Sequence, residues 1–110
     1  MAFTPFPPND GIFETTNIPI TAFDIIWKDG GVFYKDISAD STFTLTDTMD
    51  GATILVILKN TDTLDHAITW SETLVFDANY DGNIVAGTES VFTFAKSNGK
   101  IYVSEVREFS

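Results

Sequence analysis

The stretch from Asp50 to Phe109 constrains the fold most: DGATILVILKNTDTLDHAITWSETLVFDANYDGNIVAGTESVFTFAKSNGKIYVSEVREF. Short apolar, β-branched runs alternate there with Asn, Asp and Gly clusters at nearly regular intervals. Runs of this length are too short for ordinary helices, and the clusters between them carry turn chemistry. The chain before it continues the pattern. Ala22 to Lys28 and Val32 to Ile37 flank Asp29-Gly30-Gly31, which predicts a hairpin because glycine accepts the positive φ that tight hairpins need. Ser41 to Thr46 alternates Thr with Phe43 and Leu45, a strand with one wet face. Ala52 to Lys59 is an unbroken apolar run, expected to be a central strand.

His66 to Trp70 should place Ala67 and Thr69 on one face and His66, Ile68 and Trp70 on the other. Thr73 to Phe76 follows, and Thr88 to Ala95 and Lys100 to Phe109 close the chain across the Asn98-Gly99 turn signal. No segment shows a 3.6-residue period. About eight strands at this spacing predict an all-β fold, an antiparallel β-sandwich of jelly-roll-like form over residues 22–110.

All four prolines lie at Pro5, Pro7, Pro8 and Pro19. Each removes a backbone donor and pushes its predecessor towards extended geometry, so residues 1–21 are expected to form an extended arm without regular ladders. The arm is too apolar for a solvated tail, since it contains Phe3, Phe6, Ile12 and Phe13. Those four residues are candidates for partner contact, on the arm's own domain or on a neighbour.

With 110 residues the chain is one domain able to bury roughly two thirds of its unfolded surface. Fifteen aromatics, ten of them Phe, supply the core. Cysteine is absent, which excludes disulfides and thiolate metal sites. Sixteen acidic against six basic residues give a net charge of −10, which repels nucleic acid and anionic lipid. Neither a membrane-spanning run nor a signal-peptide pattern is legible, and the expectation is a soluble protein made in a cytoplasm.

Chemistry-bearing motifs are few. Asp77, Asn79, Asp81 and Gly82 reproduce the first half of a calcium loop, but Thr88 stands where a bidentate Glu belongs and neither flank is helical. Calcium on Asp77, Asn79 and Asp81 is therefore weighed against a plain inter-strand loop, and no other cofactor is expected. His66, the sole histidine, has no nucleophile near it in sequence, and a cross-strand contact suits it better than catalysis. Trp27 and Trp70 fit core positions, which leaves Tyr80 as the ring expected to be exposed for a ligand or subunit contact. No enzyme chemistry is expected.

Asp50-Gly51, Ile54, Val56, Leu58 and Asn60, then Ile68-Thr69-Trp70, Val75-Phe76, Phe92-Thr93-Phe94 and Gly99 to Ser104 occur in an order that resembles the small β modules of bacteriophage tail-fibre and head-fibre proteins. The likeness spans about residues 22–106. It departs where Ser71 replaces a proline and where the acidic DANYDGN replaces a Gly-Gly loop. The resemblance implies a non-enzymatic virion component (fibre, head fibre or decoration protein), made in the bacterial host cytoplasm. It also implies a homotrimer that docks on other virion proteins and presents loops for host attachment. The alternative is a carbohydrate-binding module that recognises a bacterial surface glycan through Tyr80, with calcium assisting.

Overall fold

A computed structural model describes residues 17–110; the partner-contact candidates Phe3, Phe6, Ile12 and Phe13 lie outside the described residues. Ten strands follow in chain order: β1 (Asn17–Pro19), β2 (Asp24–Ile26), β3 (Val32–Ile37), β4 (Ser41–Thr46), β5 (Thr53–Asn60), β6 (His66–Trp70), β7 (Leu74–Phe76), β8 (Asn83–Ile84), β9 (Glu89–Ser97) and β10 (Lys100–Phe109). They form a six-stranded sheet of order β1-β3-β5-β9-β10-β7 and a four-stranded sheet of order β2-β4-β6-β8.

The all-β expectation holds, but the antiparallel sandwich is corrected. From β1 to β6 the chain alternates between the two sheets, so each new strand lies beside the strand two earlier and runs parallel to it. Five of the eight strand pairings are parallel. The result is a solenoid-like winding. Only the β5–β9–β10 ladders and the short β6–β8 pair are antiparallel.

The predicted hairpin at Asp29-Gly30-Gly31 illustrates the cause. Trp27–Asp29 forms a single 3-10 turn instead of continuing the strand, and Gly30 is extended at φ 174°, with no tight reversal. Trp27 drops into the core at 2% exposure, beside Phe94. Burial of that large ring carries the chain across to the other sheet, and the Gly31 carbonyl accepts from the Leu55 amide at 2.8 Å. Phe23 is exposed, unlike Ile25 two residues on, and meets Phe43 edge-on. By contrast, Asn98 and Gly99 take φ 53° and 76° and close the β9–β10 hairpin as expected.

The end of the arm is also corrected. Asn17–Pro19 does join a ladder, as an edge strand parallel to β3. An edge tolerates proline because one side of the strand needs no donors. Ile20 then buries itself and donates its amide to the Tyr34 carbonyl at 3.0 Å.

The core lies between the sheets. Phe33, Ile54, Val56, Leu58, Phe92, Phe94 and Val103 point inward from the larger sheet and Ile25, Phe43, Leu45, Ile68 and Ile84 from the smaller. Trp70 bridges them, with its ring centroid 5.5 Å from Phe43, 5.4 Å from Phe92 and 4.9 Å from Phe94. Such aromatic edges add to simple area burial. The face assignments read from β4 and β6 hold: Thr42, Thr44, Ala67 and Thr69 are exposed while Phe43, Leu45 and Ile68 are buried.

Candidate functional site

Strand geometry sends alternate side chains to opposite faces, so the residues between the core positions of the larger sheet all point away from the smaller one. Cross-strand register sorts them into rows. Tyr34, Ile57, Val91 and Val106 form one row; Val32, Leu55, Thr93 and Ser104 form the next; Thr53, Ala95, Tyr102 and Val75 form a third. Tyr34 is 46% and Tyr102 44% exposed, Val75 and Val106 are exposed, and Leu55, Ile57 and Val91 are half-buried by their neighbours. No strand layer covers this outer face among the described residues.

Two hollows indent the face. One, of about 420 Å³, is lined by Asn17, Val32, Tyr34, Ile57 and Glu89. The other, of about 310 Å³, lies at the opposite side of the sheet among Val75, Phe76, Thr93, Ala95 and Tyr102. Thr53, Thr93 and Ser104 lie among the Val, Leu, Ile and Tyr side chains of this face.

Tyr80 is not the exposed ring expected from the sequence. It is half-buried against the core, with its ring 4.5 Å from Phe76 and 6.1 Å from Phe92, and its hydroxyl accepts the Trp70 indole N–H at 2.7 Å. Burial pushes its phenol up to about 12; the Trp70 bond opposes the shift, and the Glu105 and Asp81 charges add to it. The exposed tyrosines are Tyr34 and Tyr102, both on the outer face. The glycan reading thus lacks the platform it assigned to Tyr80.

The residues of the DANYDGN loop serve the loop itself. An Asp77 carboxylate oxygen accepts the Asn79 amide at 3.1 Å, and the Asp81 carboxylate pairs with the Arg107 guanidinium at 3.0 Å. Glu105 accepts the amides of Asp81 and Gly82 at 3.2 and 2.9 Å. Gly82 has φ +75°, and a Cβ there would sit 3.0 Å from the Tyr80 ring. Among the described residues no three His, Cys, Asp or Glu side chains form a metal-holding group.

His66 lies in a carboxylate clasp. Its Nδ1 is 3.0 Å from an Asp40 oxygen and its Nε2 2.8 Å from an Asp62 oxygen, so both nitrogens donate when the ring is protonated. The Asp62 bond, then the Asp40 bond, raises its pKa above the ordinary 6.5. Asp40 is held below the usual range first by the Ala67 amide and then by His66, and Asp62 first by His66 and then by the Thr63 amide. The clasp ties the β3–β4 and β5–β6 turns together.

Asn60 is a residue that sequence reasoning missed. It is fully buried at the end of β5, donates to the Leu64 and Ile84 carbonyls at 2.8 and 2.9 Å, and accepts the Asp62 amide at 2.9 Å. Its signal was available, because the inward sequence Ile54, Val56, Leu58 places a polar residue at the next inward position.

No protein-family model, curated protein or solved structure matches the chain.

Proposed function

We propose that this chain is a non-enzymatic structural component of a phage virion, of the fibre, head-fibre or decoration kind, which works by docking the outer face of its larger sheet on neighbouring copies and virion proteins. The apolar outer face carries this reading. Rows of Val, Leu, Ile and Tyr side chains on a sheet with only one side covered among the described residues support a surface built to be covered. The ordered strand motifs that resemble fibre modules supply the virion setting. A homotrimer is the favoured assembly because the fibre modules that the strand motifs resemble imply one, and closed symmetry is the ordinary outcome for identical chains.

The test is the solution mass of the chain by light scattering, for the native sequence and for Ile57→Glu. A trimer that the substitution converts to a folded monomer is the expected result. A native chain that stays monomeric at every accessible concentration would refute docking between copies through this face.

A further inference from the structure

His66 opens β6 with its ring largely shielded from solvent, at 12% side-chain exposure, and with a carboxylate on each nitrogen. The two carboxylates come from different turns and differ in setting. Asp62, in the β5–β6 turn, is 33% exposed; its Oδ2 meets Nε2 at 2.8 Å, while its Oδ1 accepts the Thr63 amide at 2.8 Å. Asp40, in the β3–β4 turn, is 75% exposed, and its Oδ1 alone serves both Nδ1 and the Ala67 amide, each at 3.0 Å.

Two acceptors need two donors, and only the protonated ring has them. A neutral ring carries one N–H and one lone pair, so deprotonation turns one of the two contacts into a lone pair facing an anion. The contact given up is the one that water replaces more readily. Asp40 is open to water over most of its surface, whereas release of Asp62 would strand a partly buried oxygen without its donor. We propose that the Asp40–His66–Asp62 clasp is a pH-operated latch on the β3–β4 turn: the protonated ring holds both turns, and loss of its Nδ1 proton to solvent frees Asp40 while Asp62 stays on Nε2–H.

Since one Asp40 oxygen holds the ring and the Ala67 amide together, both bonds part in the same step. Release reaches the first rung of the β4–β6 ladder, Ser41 against Ile68, because those residues directly follow Asp40 and Ala67. Other charges do not compete for the ring. Asp65, its neighbour in sequence, turns its carboxylate to the Ala86 amide at 2.9 Å; the β8 residue opposite His66 is Ile84, and β4 begins with the uncharged Ser41 and Thr42. The bond to Asp62, then the bond to Asp40, raises the ring's pKa above the ordinary 6.5 against the pull of burial. The latch is therefore closed in mildly acidic solution and opens as pH rises through that raised value. It lies on the turns and holds whether or not the outer face docks a partner.

The test is an NMR pH titration of the isotope-labelled full-length chain, in which His66 is the sole histidine. Ring nitrogen shifts report the tautomer, and amide exchange, taken relative to the unfolded rate at each pH, reports the turns. The neutral ring should be the Nε2–H tautomer. Protection of the Ala67 amide should fall several-fold with the same midpoint as the ring, while protection of the Thr63 amide stays level. A neutral ring protonated on Nδ1 would overturn the latch, and so would Ala67 protection that stays level through the midpoint.

Asp40→Asn supplies a second, independent readout at an exposed site of the same shape. Asparagine keeps an oxygen for the Ala67 amide and offers an N–H to the lone pair of the neutral Nδ1, so it suits either state of the ring. The step in Ala67 protection should vanish in this variant although His66 still titrates. A step of unchanged size would show that Asp40 is not the part released, and would overturn the latch.

Discussion

Asn60→Asp should be among the most damaging single substitutions in the described body, although it changes neither size nor shape. The wild-type amide nitrogen donates to the Leu64 and Ile84 carbonyls from a position with no exposed surface. Aspartate keeps the oxygen that accepts the Asp62 amide but turns a second oxygen towards those two carbonyls. Two bonds at about 1 kcal/mol each are lost, and an unsatisfied buried acceptor adds about 2 kcal/mol, for a total of about 4 kcal/mol. That approaches the whole stability of a marginal domain, about 5 kcal/mol. Because burial and the facing carbonyls oppose its charge, the new carboxyl's folded pKa stands above its unfolded value of about 3.9. The native state then binds more protons than the unfolded state over this window, so the penalty grows as pH rises and shrinks towards acid, where a neutral acid regains one donor. Urea unfolding followed by fluorescence of Trp27 and Trp70 should show a larger loss near neutral pH than at about pH 4, with the slope m unchanged. A loss below about 1 kcal/mol, equal at both pH values, would refute the assignment of Asn60 as the pin of the β5–β6 and β8 turns.

Three further outcomes follow from the same structure. Proton NMR titration of His66 should give a pKa above 6.5, and Asp62→Asn should lower it more than Asp40→Asn, since the Asp62 bond is the larger cause. The sign of the linkage follows. The clasp's contribution through His66 is fully present below pH 6.5 and is lost as pH rises through the raised folded pKa, while its contribution through Asp40 and Asp62 is present above 3.8 and is lost as pH falls through their lowered values. Gly82→Ala should cost about 1–3 kcal/mol, because it places a Cβ against the Tyr80 ring at a positive φ; thermal unfolding checks this, and an unchanged midpoint would contradict it. Trp70→Phe removes the indole donor that opposes the burial shift, so the Tyr80 phenol should titrate higher still in an absorbance titration, and a lower value would contradict the hydrogen bond.

Local signals were legible wherever local chemistry decides the outcome. Asn98-Gly99 needs positive φ at both positions and obtained a hairpin; the Thr–Phe–Thr–Leu alternation of β4 has one wet face and obtained it. Pairing direction was not legible, because parallel and antiparallel strands share the same period of two. A solenoid can be read from a fixed repeat, but this winding has none. Asn17 pairs with Val32 and Val32 with Leu55, while in the other sheet Asp24 pairs with Thr44 and Ser41 with Ile68, so successive turns differ in length. Asp29-Gly30-Gly31 misled for a related reason. A glycine pair permits a tight reversal without requiring one, and the burial of Trp27 decided otherwise.

The outer face was written in the sequence but in a form that invites the wrong reading. Ile54 to Leu58 is apolar at every position, and a strand apolar on both sides is ordinarily one covered on both sides. Here the smaller sheet covers Ile54, Val56 and Leu58, while Leu55 and Ile57 face outward with Val32, Tyr34, Val91 and Tyr102. In β9 Phe92 and Phe94 point in, while Val91 and Ala95 point out on either side of Thr93. A central strand that is apolar on both faces, where the described residues form only two layers, leaves one apolar face without a partner among them. That mismatch between the number of apolar faces and the number of layers is the physical reason to look for the missing cover. Val32, Tyr34 and Ile57, which line the larger hollow, are where a cover on this face would seat.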